Sequence, residues 1–379
     1  SRRLPDKGIS QQQILWLLGQ LSNMDSNNNP NNIGVGEREA RIFSSLILTQ
    51  NLAAGSGHGV GRSGDISASQ PKAGGMSIIA LLAGRFLVDV IRRGSGLGKE
   101  VCGEGVILPV CTGMGLMLSC MALRGIEDSK DSKESSGGDG QYGHGNAVRK
   151  NVILWCRCDQ KSVLKGLKTA GFEVVVVDTV GRCQDGEGDA SEDDSDGVTT
   201  DLNQLEALIQ THTTDRILAI VTTTSCFAPR LPDNIPAVAK LSRKYSIYHV
   251  VNSAYGLQCQ SVIQKLLKKA CAQATDRRSP YGVTCVVSSL DKNFLVPVGG
   301  SVVYGPQSAI IKEVGKCYPG RGQGQHVVNL LVTLLEMGLE GYTKLLSDRE
   351  SRLARFRNGI DAIARKFGER GIRTFGKVR

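Results

Sequence analysis

The chain has 379 residues, a formal net charge of +10 and only 5% aromatic residues, a length that supports a large buried core in roughly two or three domains. Its longest apolar runs, such as Val283 to Leu290, are interrupted by Ser and Thr and fall short of the roughly 20 residues of a membrane span, so a soluble protein with no membrane attachment is expected. The positive charge is compatible with a polyanionic partner, and the scarcity of aromatics favours one recognised by folded shape and phosphate backbone over a base-stacked single strand.

The eleven cysteines are scattered, and the close pair Cys156 and Cys158 has a one-residue spacing that suits neither zinc nor a redox pair. Cys156 and Cys285 lie in apolar runs and read as small core residues, which points to a reducing, cytoplasmic compartment and to no metal site. The chain opens on Ser1-Arg2-Arg3 without Met or an apolar signal core and reads as a fragment.

In chain order, the first motif is Gly59-Val60-Gly61-Arg62-Ser63-Gly64. It matches the dinucleotide pattern GxGxxG, but the flexible run Ala53 to Gly57 stands before it and Pro71 interrupts the helix that should follow. Two readings remain: a plain flexible loop, or a loop whose amides converge with Arg62, Ser63 and Gln70 on a phosphate or other oxyanion. Next, the apolar run Val106 to Val110 leads through Thr112-Gly113-Met114-Gly115 into a helical stretch, Leu116 to Leu123. That junction is either an ordinary turn or a helix N-terminus for a cofactor phosphate.

Glu127 to Asn146 is rich in Ser, Gly and Asp, and Gly181 to Gly197 carries seven carboxylates between Asp185 and Asp196. Both read as inserted, disordered surface loops near 127-146 and 181-197. Around them, strands are expected at Val152 to Trp155, Glu173 to Val177, Ile217 to Thr222, Ile247 to Val251, Val283 to Ser288 and Ser301 to Tyr304. Near-continuous apolar runs of this kind, alternating with helical stretches at Leu202 to Ile209 and Ile235 to Tyr245, predict an α/β fold with a doubly wound, mostly parallel sheet.

Asn252 ends one of these strands and lies 40 residues before Lys292, which follows another. A lysine at such a strand end is either a solvated cap or the amine that forms a Schiff base with an aldehyde cofactor, pyridoxal phosphate being the natural candidate. Asn252 is in turn a structural asparagine or a neutral partner for the cofactor's ring nitrogen. In the tail, Lys344 to Arg379 holds eleven Lys/Arg against four Asp/Glu. There Leu353, Phe356, Ile360, Ile363 and Phe367 form one helical apolar stripe, opposite an Arg-rich face that is either solvated or an RNA contact.

Longer motifs resemble one family. Met24-Asp25-Ser26-Asn27-Asn28, Gly34-Val35-Gly36-Glu37-Arg38-Glu39, Gly61 to Ala68, Thr223 to Arg230, Ser289-Leu290-Asp291-Lys292-Asn293-Phe294, Val296 to Gly300 and Tyr318-Pro319-Gly320-Arg321 are similar to those of the O-phosphoseryl-tRNA(Sec) selenium transferases. The resemblance covers most of Met24 to Arg321. It implies a fold type I pyridoxal phosphate enzyme that takes phosphoseryl-tRNA(Sec) through phosphate elimination to dehydroalanyl-tRNA, and then to selenocysteinyl-tRNA(Sec) with selenophosphate.

By the same resemblance Lys292 is catalytic and carries the cofactor, with Arg38, Thr112, Gly113, Gln160 and Asn252 around it. Arg62, Ser63, Gln70 and Arg321 match the residues that bind the substrate phosphate, Glu37 one that repels a free α-carboxylate, and Arg277 and Arg278 a basic tRNA contact. The resemblance further implies a homotetramer with active sites at dimer interfaces. Its domain expectation is a truncated N-terminal helical segment (1–45), a catalytic domain (46–340) and an incomplete C-terminal small domain (341–379). The sequence departs from the family pattern at Cys111, Ser253 and Gly322-Gln323-Gly324. Two other readings stay open: a related pyridoxal phosphate enzyme of sulfur transfer, such as a cysteine desulfurase, and a non-catalytic tRNA-binding subunit.

Overall fold

The structure is a computed structural model that describes residues 3–28, 40, 42–47, 56–134, 149–158, 160–182, 197–224, 230–260, 262–274, 276 and 278–367. Helix α1 (Gln11–Ser22) starts on a capping box in which Ser10 and Gln13 satisfy each other's backbone amides. It packs on α2 (Gly74–Asp89), whose last turn continues as a π-helical turn, Val90–Gly94. The 21 residues Gly74–Gly94 are long and apolar enough in composition to cross a membrane, which corrects the expectation that no such stretch exists. About half of that window is buried, because Met76, Ile79, Ala83, Phe86 and Leu87 belong to the core.

The seven-stranded sheet is built from β1 (Glu104–Leu108), β2 (Val152–Cys156), β3 (Glu173–Val177), β6 (Ile217–Thr223), β7 (Tyr248–Asn252), β8 (Cys285–Ser289) and β9 (Ser301–Gly305), in the order β1-β9-β8-β7-β6-β2-β3. From β8 to β3 all neighbours are parallel, whereas β9 runs antiparallel to both β8 and β1. Strands β2, β6, β7, β8 and β9 are buried along their whole length, as near-continuous apolar runs predict for a sheet covered on both faces. The period of two divides the strands between two cores. Val152, Leu154 and Cys156 join α5 (Leu202–His212) and α6 (Ile235–Tyr245) on one face. Ile153 and Trp155 join the larger core on the other, with α3 (Thr112–Glu134) and α4 (Lys161–Thr169).

The expected strands are all present within about two residues. The segment Glu127 to Asn146 is not a loop throughout, because α3 continues to Glu134. Glu127 is a buried anchor on that helix, paired with Lys130 at 2.6 Å, Tyr248 Oη at 2.7 Å and Lys150 at 2.9 Å. A low apolar content hid the helix, and these charge-assisted bonds stabilise it instead. The acidic insertion is flanked by a two-stranded antiparallel ribbon, β4 (Thr179–Arg182) and β5 (Gly197–Thr200), and residues 183–196 between them lie outside the described residues.

After the short helix α7 (Lys269–Ala272) come α8 (Leu290–Phe294), α9 (Ser308–Lys316) and the long α10 (Gln325–Phe367). Helix α10 breaks at Gly338, whose φ of +62° glycine alone adopts readily. The extended segment Pro5–Ile9 docks on the break through backbone bonds from Leu339 to Pro5 and from Glu340 to Asp6, at 3.0 and 2.9 Å. Beyond it the expected tail stripe is helical, but Phe356, Ile363 and Phe367 are exposed.

Candidate active site

All the parallel strands end on one side of the sheet, and the chain turns there into the segments that carry the candidate residues. Asn252 closes β7 in register with Thr223 of β6 and Val287 of β8. Its carbonyl accepts the Thr224 amide at 2.9 Å, while its side-chain Oδ1 is buried and has no partner among the described residues. Beside it, β8 passes directly into α8, so Lys292 stands one turn beyond the sheet.

Helix α8 is fixed from below. Asn293 donates to the carbonyls of Ala254 and Ser289 at 2.8 and 2.7 Å, and Gln258 donates to the Lys292 carbonyl. Lys292 Nζ lies 3.3 Å from Ser289 Oγ and 3.3 Å from Asp291 Oδ2, with the Tyr255 ring centroid 5.4 Å away. The amine is half-buried and oriented by an acid, a hydroxyl and an aromatic face.

Helix α3 begins at the same end of the sheet. Strand β1 runs parallel to β8 through the intervening β9, so the turn after β1 delivers Thr112 beside the ends of the central strands. Thr112 is buried and its Oγ1 has no partner among the described residues. A Cβ on Gly115 would stand 2.9 Å from Ser301 Oγ and 3.1 Å from Val287, and one on Gly113 would stand 3.1 Å from Ser162. The small residues thus let the first turn of α3 lie tightly between the sheet and α4. Gln160 precedes α4, two residues before that Ser162 contact.

The glycine loop is a tight hairpin. Arg62 and Asp65 exchange backbone bonds at 2.9 Å, with Arg62 and Ser63 exposed at its tip, and Gly61 and Gly64 take φ of +79° and +81°. No helix follows until Gly74, so the dinucleotide reading fails as expected. Val60 and Gly322 exchange backbone bonds at 2.8 and 3.0 Å, and Arg321 donates to the His58 carbonyl. A Cβ on Gly322 would stand 2.5 Å from Pro109, in the turn that leads to Thr112. The structure therefore brings the segments that carry Arg62, Ser63 and Arg321 together beside the turn after β1, although Arg321 lies 259 residues from Arg62 in sequence. Gln70 sits in the adjoining turn, its amide bonded to Ser77 Oγ at 2.9 Å.

Glu37, Arg38 and Arg277 lie outside the described residues. Arg278 is exposed, and its carbonyl accepts from Gln307, which follows β9, at 2.8 Å. That places it at the opposite end of the sheet from Lys292.

Comparison with known proteins narrows the reading. A profile described as O-phosphoseryl-tRNA(Sec) selenium transferase, SepSecS, matches residues 24–134 and 143–375. The chain belongs to this selenium transferase family. Among relatives of that name, the one from Dictyostelium discoideum is 36% identical over 376 residues, covering 99% of this chain and 70% of the relative. The one from Methanopyrus kandleri is 34% identical, covering 91% and 68%. The crystal structure of an archaeal O-phosphoseryl-tRNA(Sec) selenium transferase superposes with a TM-score of 0.79 at 30% identity, covering all of this chain and 76% of the other. A sphingosine-1-phosphate lyase from Burkholderia pseudomallei, at 13% identity and a TM-score of 0.54, shares the fold. The architecture is that of the fold type I enzymes.

Within this selenium transferase framework the structure adds residues that sequence reasoning passed over. Tyr255 and Gln258 follow Asn252 closely in sequence, but no local pattern announces that one lies against the Lys292 amine and the other holds its backbone. Arg230, the last residue of a family motif, is buried with Asp233 and donates to it and to the Arg157 carbonyl. Asp233 in turn accepts the Thr223 amide at 2.7 Å and so braces the end of β6 beside Asn252. Ser253, a departure from the family pattern, accepts from Thr224 Oγ1 at 3.1 Å, and its carbonyl accepts from Ser288 Oγ at 2.9 Å.

Proposed function

We propose that this chain is a pyridoxal phosphate-dependent enzyme that converts O-phosphoseryl-tRNA(Sec) to selenocysteinyl-tRNA(Sec), with selenophosphate as selenium donor. The observation that carries the reading is the pair of buried oxygens Asn252 Oδ1 and Thr112 Oγ1, without partners among the described residues, at the sheet end where Lys292 stands. Buried polar atoms without partners are costly. A ligand with a protonated ring nitrogen for Asn252 and a phosphate for Thr112 satisfies both.

Pyridoxal phosphate, when bound, supplies an aldehyde for an amine and a ring that draws electrons away from the substrate Cα. Lys292 is the amine for that aldehyde and the base placed to take the Cα proton on Nζ. Asn252 accepts from the ring nitrogen, more weakly than a carboxylate would. Thr112 and Gly113 offer a hydroxyl and a backbone amide to the cofactor phosphate, Gln160 matches a position beside the cofactor ring, and Arg38 is a further residue for holding the cofactor. Arg62, Ser63, Gln70 and Arg321 stabilise the charge that grows on the substrate phosphate as its C–O bond breaks. Glu37 repels a free carboxylate but not an aminoacyl ester, which selects phosphoseryl-tRNA over phosphoserine.

The tRNA is the polyanion expected from the charge of +10, with Arg277 and Arg278 among its contacts. A homotetramer with sites at dimer interfaces, a cytoplasmic location and a division into segments 1–45, 46–340 and 341–379 complete the proposal. Family membership favours it over sulfur transfer. The test is turnover by the purified protein of phosphoseryl-tRNA(Sec) and of free phosphoserine, each with selenophosphate. Selenocysteinyl-tRNA from the first and no phosphate release from the second are expected, and equal turnover of both would remove the Glu37 filter.

A further inference from the structure

The apolar run of β6, Ile217 to Val221, ends on three threonines, Thr222, Thr223 and Thr224, all of them buried. A hydroxyl in a buried strand is costly unless it is bonded. Thr222 Oγ1 meets His249 Nε2 at 2.7 Å, and the other two hydroxyls turn to Asn252. We propose that Thr223 and Thr224 are positioning residues for Asn252, fixing the oxygen that meets the cofactor's ring nitrogen. The inference rests on the reading above that Asn252 accepts from that nitrogen.

The Asn252 carbonyl accepts the Thr224 amide at 2.9 Å, the Thr223 hydroxyl at 3.3 Å and the Thr224 hydroxyl at 3.5 Å. Three donors converge on one oxygen with two lone pairs, so the hydroxyl contacts are long. From the other side, Ser253 donates its amide to the Val287 carbonyl at 2.9 Å, and its own carbonyl accepts from Ser288 Oγ at 2.9 Å. The peptide unit that follows Asn252 is therefore held by β6 on one side and by β8 on the other. Thr224 Oγ1 also donates to Ser253 Oγ at 3.1 Å. A Cβ on Gly256 would stand 1.9 Å from that Ser253 oxygen, so the glycine leaves the room in which the two hydroxyls meet. Thr223 is anchored in turn, because Asp233 accepts its amide at 2.7 Å.

The clamp matters because Asn252 is an amide. A carboxylate presents two equivalent oxygens to a protonated ring nitrogen, whereas an amide presents one oxygen and one NH2 group, which is a donor and cannot accept. The contact is also weaker than a charged one, and a hydrogen bond loses strength steeply as it bends. Fixing the backbone from both neighbouring strands fixes the direction of the Asn252 Cα–Cβ bond. Only rotation about the side chain's own bonds then remains to aim Oδ1.

The experiment is a mutant cycle between Asn252→Leu and the paired change Thr223→Val with Thr224→Val, which removes both hydroxyls and keeps both backbone amides. Each cofactor-free protein is titrated with pyridoxal phosphate by absorbance, and the ring nitrogen is then read by nuclear magnetic resonance of cofactor isotopically labelled at that atom. The paired change is expected to weaken cofactor affinity about three- to tenfold, the worth of one misdirected hydrogen bond, and to move the ring-nitrogen resonance toward its position in Asn252→Leu. In the Asn252→Leu background it is expected to change neither, because the effect passes through Asn252. An unaltered affinity and resonance in the paired variant overturn the proposal, as does an equal loss of affinity in both backgrounds, which marks a general structural effect. An unaltered affinity in Asn252→Leu overturns the ring-nitrogen reading itself and this inference with it. If the paired variant does not fold, Thr224→Val alone enters the same cycle beside Thr224→Ser, which keeps the hydroxyl and is expected to match the parent protein.

Discussion

Lys292 and Asp291 are neighbours in sequence and also an ion pair, with Nζ 3.3 Å from Oδ2. Consecutive residues on a regular helix point about 100° apart, so the pair forms only because both side chains bend toward Ser289 at the mouth of the sheet. The amine is thereby held where β8 ends.

Replacing Lys292 with Ala is expected to abolish the visible absorbance of lysine-bound pyridoxal phosphate and to lower turnover about a thousandfold or more. Borohydride treatment of the unmodified protein, followed by peptide mass spectrometry, should find the cofactor on the peptide that contains Lys292. An unchanged spectrum in Lys292→Ala would sink the assignment.

Asn252→Leu removes the buried acceptor Oδ1 while keeping a similar volume. Losing one hydrogen bond to a charged ring nitrogen predicts a cofactor affinity weaker by about ten- to a hundredfold. Titration of the cofactor-free protein with pyridoxal phosphate, followed by absorbance, measures it, and equal affinities would refute the ring-nitrogen role.

His249 is buried in β7, with Nε2 2.7 Å from Thr222 Oγ1, and burial lowers its pKa to about 3. Since the folded pKa lies below the ordinary value of 6.5, the unfolded chain takes up the proton first as pH falls. The contribution is full above pH 6.5 and declines toward pH 3, a loss of about 2 kcal/mol between pH 7 and pH 5. Urea unfolding at those two pH values should show that loss, and a His249→Gln variant should flatten it.

Arg230→Met leaves Asp233 buried beneath the end of β6 without its cation. Breaking a buried pair from one side is expected to cost about 3–5 kcal/mol. Adding Asp233→Asn should recover part of that cost, because no unpaired charge then remains. Denaturant midpoints of the two variants decide the matter, and an unaltered midpoint for Arg230→Met would show that the pair is dispensable.

Two ion pairs, Glu127 with Lys150 at 2.9 Å and Asp128 with Arg149, join the described residues on either side of the segment 135–148. Exchanging the segment for a short Gly/Ser linker should change stability by less than about 1 kcal/mol, because closure entropy varies slowly with loop length. Glu127→Ala should cost more, about 1–3 kcal/mol, since it strips partners from the buried Tyr248 hydroxyl and from Lys150. A reversal of that order in thermal melting would show that the insertion, not its stem, supports the fold.

Much of the sheet was readable from the amino acids alone. Strands such as Glu173–Val177 and helices such as Ile235–Tyr245 announce themselves because burial on both faces demands an apolar run, and burial on one face a stripe. Helix α3 beyond Glu127 was not, since its last turns are held by ion pairs that no hydrophobic period records.

By itself the sequence determined the fold class, the family and the chemical identity of the candidate residues, because long ordered motifs around Lys292, Arg62 and Arg321 leave few alternatives. Only the tertiary structure decided how they meet. The Val60 and Gly322 bridge, the bond from Arg321 to the His58 carbonyl and the register of Thr223, Asn252 and Val287 all join segments distant in the chain. Such contacts depend on close backbone approach and on burial, which are properties of packing and leave no trace in local residue order.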